Sequence, residues 1–476
     1  MKVLLITPPR LERLREIKSF MPPISLLYLA SALREHNHTP GILDLALVEG
    51  LSTSNREGVP AALEQSISRF NPDLLSINCY TSLHFPSVTH IAQSLRTKHT
   101  NIPIVIGGAH PSLFPREILA NCSYIDYVVG GEGEEQIVEI ANALSKNSNH
   151  ADLSHIQSLT WRKNGEIIHQ PRKSYMEDID KLPDCAWDLI ALRDYYTDHS
   201  GWNNPRHLTF NLAVPILSSR SCPFFCNFCA AFTTMGRKFR MRSPKRVVDE
   251  IQMLHERFGE NYFSFLDDNM NLNKAHILGI CSEIYKRGLN IEFETLSGLH
   301  LGFLDNEVID ALDQSGLVFV RLPIEHANDR IRNEVIGKHL SREKIYEVCK
   351  AFKSKQHIRT SCMYIMGFPE ETCETLEDIR KMILDLQLDI NQVSNLLPFP
   401  GTKIFDQASR DGLLLHNYNA DRLWAGETCL DPTESDFFLK PYDMTIEELK
   451  TYRTIFNNLR ILPNSRILQP SGVQNK

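Results

Sequence analysis

The chain has 476 residues, 42% of them hydrophobic and 23% charged, with a net charge of -7; this suffices for two or three domains with full cores and is ordinary for a globular protein. A net negative chain without a long basic run excludes nucleic acid as the main partner, because phosphate binding needs clustered Lys and Arg. The apolar start Val3-Leu4-Leu5-Ile6 is too short for a signal-peptide core, and no uncharged apolar run reaches the length of a membrane span. A cytoplasmic chain with no membrane partner is therefore expected, in which the 11 cysteines stay reduced instead of forming a disulfide framework.

Residues 3–6, 42–45, 74–77, 104–106 and 127–129 are short apolar runs bounded by turn residues, as buried parallel strands are. Helical patterns separate and follow them at 24–33, 61–70, 88–95 and 134–144, the last with Ile137, Ile140, Ala141 and Leu144 on one face. The pattern predicts an α/β doubly wound parallel sheet over residues 1–150. Ligands of such sheets bind at the carboxyl ends of the strands, where this chain places Gly107-Gly108-Ala109-His110 and Gly130-Gly131-Glu132-Gly133-Glu134. Glycines after strands let a backbone approach a ligand, and a helix that starts at once offers free N–H groups; the plainer alternative is a turn.

Residues 151–210 read as a hairpin and linker, with alternating flanks around Asn164-Gly165. From residue 211 a second alternation of strands and helices begins. Strands are predicted over 216–219, 262–266, 291–296, 318–325, 360–366 and 392–398, which make a partial (β/α)6 barrel whose site lies at the strand carboxyl ends. The core spans 211–412, and a small helical extension follows over 413–476, with Trp424, Phe437 and Phe438 as lid or core.

The first of these strands delivers Cys222-Pro223-Phe224-Phe225-Cys226-Asn227-Phe228-Cys229. Three thiolates in one loop can each take one iron of a four-iron cluster and leave the fourth iron open. The alternative is structural zinc, which needs a fourth ligand at matching spacing that His199 and His207 do not supply. Cys79, Cys281, Cys349 and Cys362 are read as packing residues. Asp267 and Asp268 close the second barrel strand as adjacent carboxylates suited to an ammonium, a hydroxyl or a proton, with helix capping by Asp268 or Asn269 as the alternative.

The cysteine run, with the aromatic Phe228 before the third cysteine, resembles the CxxxCxxC signature of the radical S-adenosylmethionine (radical SAM) enzymes. Further resemblances follow in order: Ile324-Glu325 to the family's IE element, Gly367-Phe368-Pro369-Glu370-Glu371-Thr372 to its GxPxET turn, and Pro398-Phe399-Pro400-Gly401-Thr402 to its PxPGT turn. The two glycine loops of the first third are similar to the cobalamin-binding domain that precedes the radical domain in one large class of this family. The resemblance implies a 4Fe-4S cluster on Cys222, Cys226 and Cys229. It further implies S-adenosylmethionine near Phe228, Asp267, Asp268, Glu325 and Gly367, and cobalamin near Gly107, Gly108, His110, Gly131, Glu132, Gly133 and Glu134. Asp44-Leu45-Ala46-Leu47 lacks the histidine of the family's DxHxxG element, which implies cobalamin without a protein histidine below the ring. A salt bridge to Arg321 or Arg359 is the alternative for Glu325.

An unactivated carbon has no usable pKa, so a radical route is needed. The resemblance then implies a methyltransferase moving methyl from methylcobalamin to a small, anionic metabolite through a 5'-deoxyadenosyl radical, with a one-electron donor such as flavodoxin or ferredoxin. The alternative is ring closure or rearrangement without methyl transfer. The basic cluster Arg237, Arg240 and Arg242 suits an anionic substrate, or pairs with Glu250 or Glu256. No residue is assigned a proton-transfer role.

Overall fold

In the computed structural model, which describes residues 1–9, 21–51, 58–146, 152–196, 212–415, 420–426, 437–463 and 465, the apolar runs of the first half form five parallel strands: β1 (Lys2–Thr7), β2 (Thr39–Asp44), β3 (Leu74–Asn78), β4 (Ile104–Gly107) and β5 (Tyr127–Val129). Two antiparallel strands, β6 (Leu159–Lys163) and β7 (Glu166–His169), complete a sheet of order β2-β1-β3-β4-β5-β6-β7. Alternate residues point to opposite faces. Leu4, Ile6, Ile77 and Ile106 pack under the helices Gly58–Phe70 and Phe85–Lys98, whereas Val3, Leu5, Val105 and Val129 pack under Ile24–Glu35 and Glu134–Lys146. Both faces are covered, as a parallel sheet requires.

The Asn164-Gly165 turn has φ of 52° and 84°, the left-handed pair that a tight hairpin needs. Its strands are not part of a free linker. Tyr127 of β5 pairs with Trp161 of β6, and Leu159 and Trp161 are buried in the second core, so the first sheet continues past residue 150. The chain divides into two compact units, one of Met1–Asp198, Ala231–Gly236 and Asn419–Leu430, the other of His199–Ala230, Arg237–Tyr418 and Asp431–Lys476.

The second unit holds β8 (Val214–Ile216), the short antiparallel pair β9 (Ser219–Arg220) and β10 (Arg240–Met241), then β11 (Tyr262–Phe265), β12 (Glu292–Thr295), β13 (Leu317–Glu325), β14 (Arg359–Met366) and β15 (Ile390–Asn395). Its main sheet is parallel throughout, in the sequential order β8-β11-β12-β13-β14-β15. Helices Pro244–Phe258, Lys274–Lys286, Asn306–Gln314, Arg342–Ser354 and Cys373–Leu386 follow successive strands. Their starts carry side-chain caps: Ser243, Asn273, Asp305, Ser341 and Thr372 each accept a backbone N–H of the first turn. Phe437 and Phe438 are buried, so these rings belong to the core and are not a lid.

Candidate active site

The cysteine loop leaves the first barrel strand through Ser221, a non-glycine residue with φ of 77°, a conformation that costs roughly 1–3 kcal/mol and persists only where the surroundings enforce it. The strand just before it is held by Asp267. Its carboxylate, 3% exposed, accepts from Ser218 N at 3.1 Å and from the hydroxyls of Ser218 at 2.7 Å and Ser219 at 2.5 Å. Asp267 therefore fixes the strand that delivers the cysteines. The expectation that it offers oxygens to S-adenosylmethionine is corrected, because Ser218 and Ser219 already occupy them.

Asp268, the next residue, is exposed, yet the surrounding protein and the charge of Asp267 raise its pKa, as expected in a deep concavity. The carboxamide of Asn269 is buried and its Oδ1 has no hydrogen-bond partner among the described residues. The helix that follows is capped by Asn273, so neither Asp268 nor Asn269 serves as its cap. An exposed carboxylate and an orphaned buried acceptor at this strand end fit an ammonium-bearing ligand.

The loop is pinned on its far side. Asn227 N donates to Ile336 O at 3.0 Å and its side-chain amide donates to Val335 O at 2.6 Å. Arg237 donates to Phe224 O at 2.7 Å, and its guanidinium lies 4.0 Å above the ring of Phe225. Phe224 stacks on His300 at 4.7 Å. Cys226 and Phe228 pack against Ile331, Ile336, Phe368 and Leu396. None of the three loop cysteines is in a disulfide with a described residue and each is partly exposed, while Cys79, Cys281, Cys349 and Cys362 are buried, as packing residues should be. Burial pushes the Cys226 thiol up to about 12, with Glu325, Cys229 and Cys222 adding to it and Lys338 opposing. Three thiols that feel one another in this way ionise together only beside a compensating cation, which a cluster's irons supply. No group of three or more His, Cys, Asp or Glu side chains among the described residues is set to hold a metal ion. Ligands to three different irons stand further apart than ligands to one.

Glu325 ends β13 at φ of 68°, where the pairing with β14 slips between Pro323 and Glu325. Its partner is Lys338, at 3.0 Å, with both side chains buried, and not Arg321 or Arg359. Burial pulls the Lys338 ammonium down, but Glu325 and the thiols of Cys226 and Cys222 more than offset this and hold it above the usual lysine range. At Gly367, with φ of 99°, the nearest described atoms beyond its chain neighbours stand 3.8 Å from the place of a Cβ, on Leu396. The Gly367 N–H donates to Glu371 Oε2, and Glu371 Oε1 meets His326 Nε2 at 3.0 Å, both side chains fully buried. Lys338 is not marked by the sequence, where Asn269 appears only as a helix-cap candidate and Glu371 only within the turn that resembles GxPxET. Lys338 lies thirteen residues beyond its partner with no pattern to mark it.

Arg242 is 6% exposed and is committed to Glu250 at 2.6 Å and to Leu217 O at 2.9 Å. Glu250 is thus its partner, as one of the two sequence readings had it, and this guanidinium is not available to a substrate.

In the first unit the sheet changes direction between β1 and β3, the switch point at which doubly wound sheets bind ligands. The loop 130–133 is clasped by protein: Ser112 accepts from Gly131 N, Ser158 Oγ donates to Gly130 O, and Arg172 donates to Gly130 O and Glu132 O. Glu132 and Glu134 are buried. A Cβ on Gly108 (φ 120°) would stand 2.3 Å from Cys79 O, and one on Gly131 (φ 70°) 2.7 Å from Thr234 O. Glycine at these two positions is therefore required by close packing of the protein's own loops, a reason other than the expected approach of a ligand. At Gly107 and Gly133 the nearest atoms are 3.6 and 3.5 Å away, which leaves ordinary room.

His110 corrects another expectation. It is fully buried, Nδ1 meets Ser82 Oγ at 2.8 Å, Nε2 meets Trp424 O at 2.8 Å, and the ring packs on Phe85 and Phe114. With both nitrogens engaged it neither ligates cobalt nor faces a cofactor. Asp44, where the family's histidine motif would begin, is held by Tyr195 OH and by Ala46 N and Leu47 N. Burial holds His110 down at about 4, so it is neutral in the folded chain while the unfolded chain takes up a proton below about 6.5. Stability contributed by the neutral ring is present above that value and is lost as pH falls toward 4, by up to roughly 3 kcal/mol. His110→Phe should flatten the acid side of a Tm-versus-pH profile over this window and leave cobalamin content unchanged.

The two units are a Rossmann-like sheet and a parallel sheet of a partial (β/α)6 barrel in one chain. The comparisons agree. Residues 13–141 match the B12 binding domain and residues 216–383 the Radical SAM superfamily. The chain is 31% identical over 436 residues to an uncharacterized methyltransferase of Pyrococcus horikoshii, covering 91% of this chain and 87% of that protein. It is 26% identical to the anaerobic magnesium-protoporphyrin IX monomethyl ester cyclase of Cereibacter sphaeroides, over 85% of this chain and 63% of the cyclase. The structure superposes with a TM-score of 0.72 on the radical S-adenosylmethionine methyltransferase TsrM from Kitasatospora setae, solved with cobalamin and a 4Fe-4S cluster bound, at 19% identity over 95% of this chain and 80% of that one. The chain belongs to the cobalamin-dependent radical SAM enzymes, and its cofactors are cobalamin, a 4Fe-4S cluster and S-adenosylmethionine. No helix among the described residues is long and apolar enough to cross a membrane.

Proposed function

We propose that this chain is a methyltransferase acting on an unactivated carbon of a small metabolite, with Cys222, Cys226 and Cys229 as the cluster ligands. The observation that carries the reading is the delivery of three thiols at the end of the first barrel strand, beside an exposed Asp268 and a buried, unpartnered Asn269 oxygen at the end of the second. With its cofactors bound, the barrel would supply an electron for cleaving S-adenosylmethionine, received from a donor such as flavodoxin or ferredoxin, and the first unit would supply a methyl group on cobalamin.

The chain's own residues do the rest. Asp268 and Asn269 accept from the ammonium of S-adenosylmethionine, and Glu325 accepts from its ribose hydroxyls. Gly367, with Glu371 fixing its N–H, leaves space for the adenine. Phe228 and Phe368, whose ring centroids are 6.3 Å apart, keep water from the third cysteine. Gly107, Gly133, Glu132 and Glu134 are the residues of the first sheet proposed to meet cobalamin. A negative charge on the substrate would fall to Arg237, because Arg240 and Arg242 are both buried.

Similarity to the cyclase supports a second reading, ring closure without methyl transfer. Anaerobic incubation of the reconstituted protein with S-adenosylmethionine, cobalamin, a reductant and a small-metabolite extract as the source of substrate, with products formed only when the extract is present being scored, separates the two. Methyl transfer predicts S-adenosylhomocysteine together with 5'-deoxyadenosine; 5'-deoxyadenosine alone would overturn it in favour of the cyclase reading.

A further inference from the structure

Residues 335–338 run along the cysteine loop. Asn227 clamps Val335 O and Ile336 O. The place of a Cβ on Gly337 lies 3.7 Å from Phe225 O, at a φ of 79° that favours glycine. The next residue is Lys338, 7% exposed, with its Nζ 3.0 Å from Glu325 Oε1. Glu325 is itself held in a left-handed conformation at an irregular point of the sheet. The charges of Cys226 and Cys222 reach the same ammonium, whose own charge reaches His300.

A lysine and a carboxylate buried together cost more in lost hydration than a pair of apolar side chains would. Stability alone gives no reason for a cation here. The cluster does, because three thiolates and an added electron are all negative. Resting on the cluster assignment above, we propose that Lys338 is a positioning residue whose fixed positive charge sets how readily the cluster accepts its electron, with Glu325 holding that charge beside Cys222 and Cys226.

The sign follows from charge. The reduced cluster carries one more negative charge than the oxidised one, so a neighbouring cation favours reduction and its removal opposes it. The test is an EPR-monitored redox titration of the anaerobically reconstituted full chain, with iron and sulfide measured on each sample. Lys338→Met should lower the ratio of reduced to oxidised cluster at a fixed potential by at least about tenfold, a shift of about 59 mV for a one-electron couple. Lys338→Arg should stay near the parent value, and Glu325→Gln, which removes the opposing negative charge, should move the potential upward. A cluster-loaded Lys338→Met with the parent potential would overturn the proposal, as would a downward shift in Glu325→Gln. If Lys338→Met holds no cluster, the direction of the Glu325→Gln shift decides. A parent chain without iron and sulfide would instead remove the cluster assignment.

Discussion

Cys226→Ala is expected to lose 5'-deoxyadenosine formation to below detection, together with the visible absorbance of the cluster. Alanine has no donor atom, and two thiolates leave two irons without protein ligands. The fold should survive, because the substitution takes only a sulfur from the apolar packing around Ile331, Ile336 and Phe368. Iron content, product analysis and circular dichroism on the same preparation separate loss of the cluster from loss of structure. Cys349→Ala is the control: that thiol is buried away from the loop, and its loss should leave iron content unchanged. Normal cleavage of S-adenosylmethionine by Cys226→Ala would refute the ligand assignment.

Glu250→Ala should produce the largest loss of stability. It strands the Arg242 guanidinium, whose side chain is 7% exposed, and breaking one side of a buried ion pair costs about 3–5 kcal/mol. Arg242 also holds Leu217 O and donates its backbone N–H to Ser218 O. The damage should therefore reach the strand that carries the cysteines and appear as a fall in Tm accompanied by lower iron content. The double change to methionine at 242 and 250 should recover much of the Tm, because it removes both charges and keeps the volume. An Arg242 kept for an anionic substrate would instead leave Tm nearly unmoved in Glu250→Ala.

Apolar runs made both sheets legible. Short apolar runs bounded by turn residues anticipate all six barrel strands and all five parallel strands of the first unit, because in parallel sheets such runs are nearly continuous. The hairpin at Asn164-Gly165 was equally plain as a turn, but its destination was not. Which sheet a hairpin joins depends on side chains such as Trp161 finding a distant core, and that is a tertiary fact. The site divides in the same way. Motif residues with fixed spacing (the cysteines, Glu325 and Gly367) are visible in the chain. Asp267, His110 and Arg242 look like ligand-facing groups in sequence and prove to be internally bonded, since the chemistry that recognises a cofactor also recognises a serine hydroxyl or a backbone carbonyl. Lys338 stays hidden because its importance comes from burial beside Glu325 and not from its neighbours in sequence.

The most direct measurement is the iron, acid-labile sulfide and corrinoid content of anaerobically purified and reconstituted protein, set beside its absorbance and EPR spectra with and without S-adenosylmethionine. The account predicts about four iron and four sulfide per chain, one corrinoid, and an EPR signal of the reduced cluster that changes when S-adenosylmethionine occupies the open iron. One equivalent of zinc with no iron, or a cluster spectrum indifferent to S-adenosylmethionine, would contradict it.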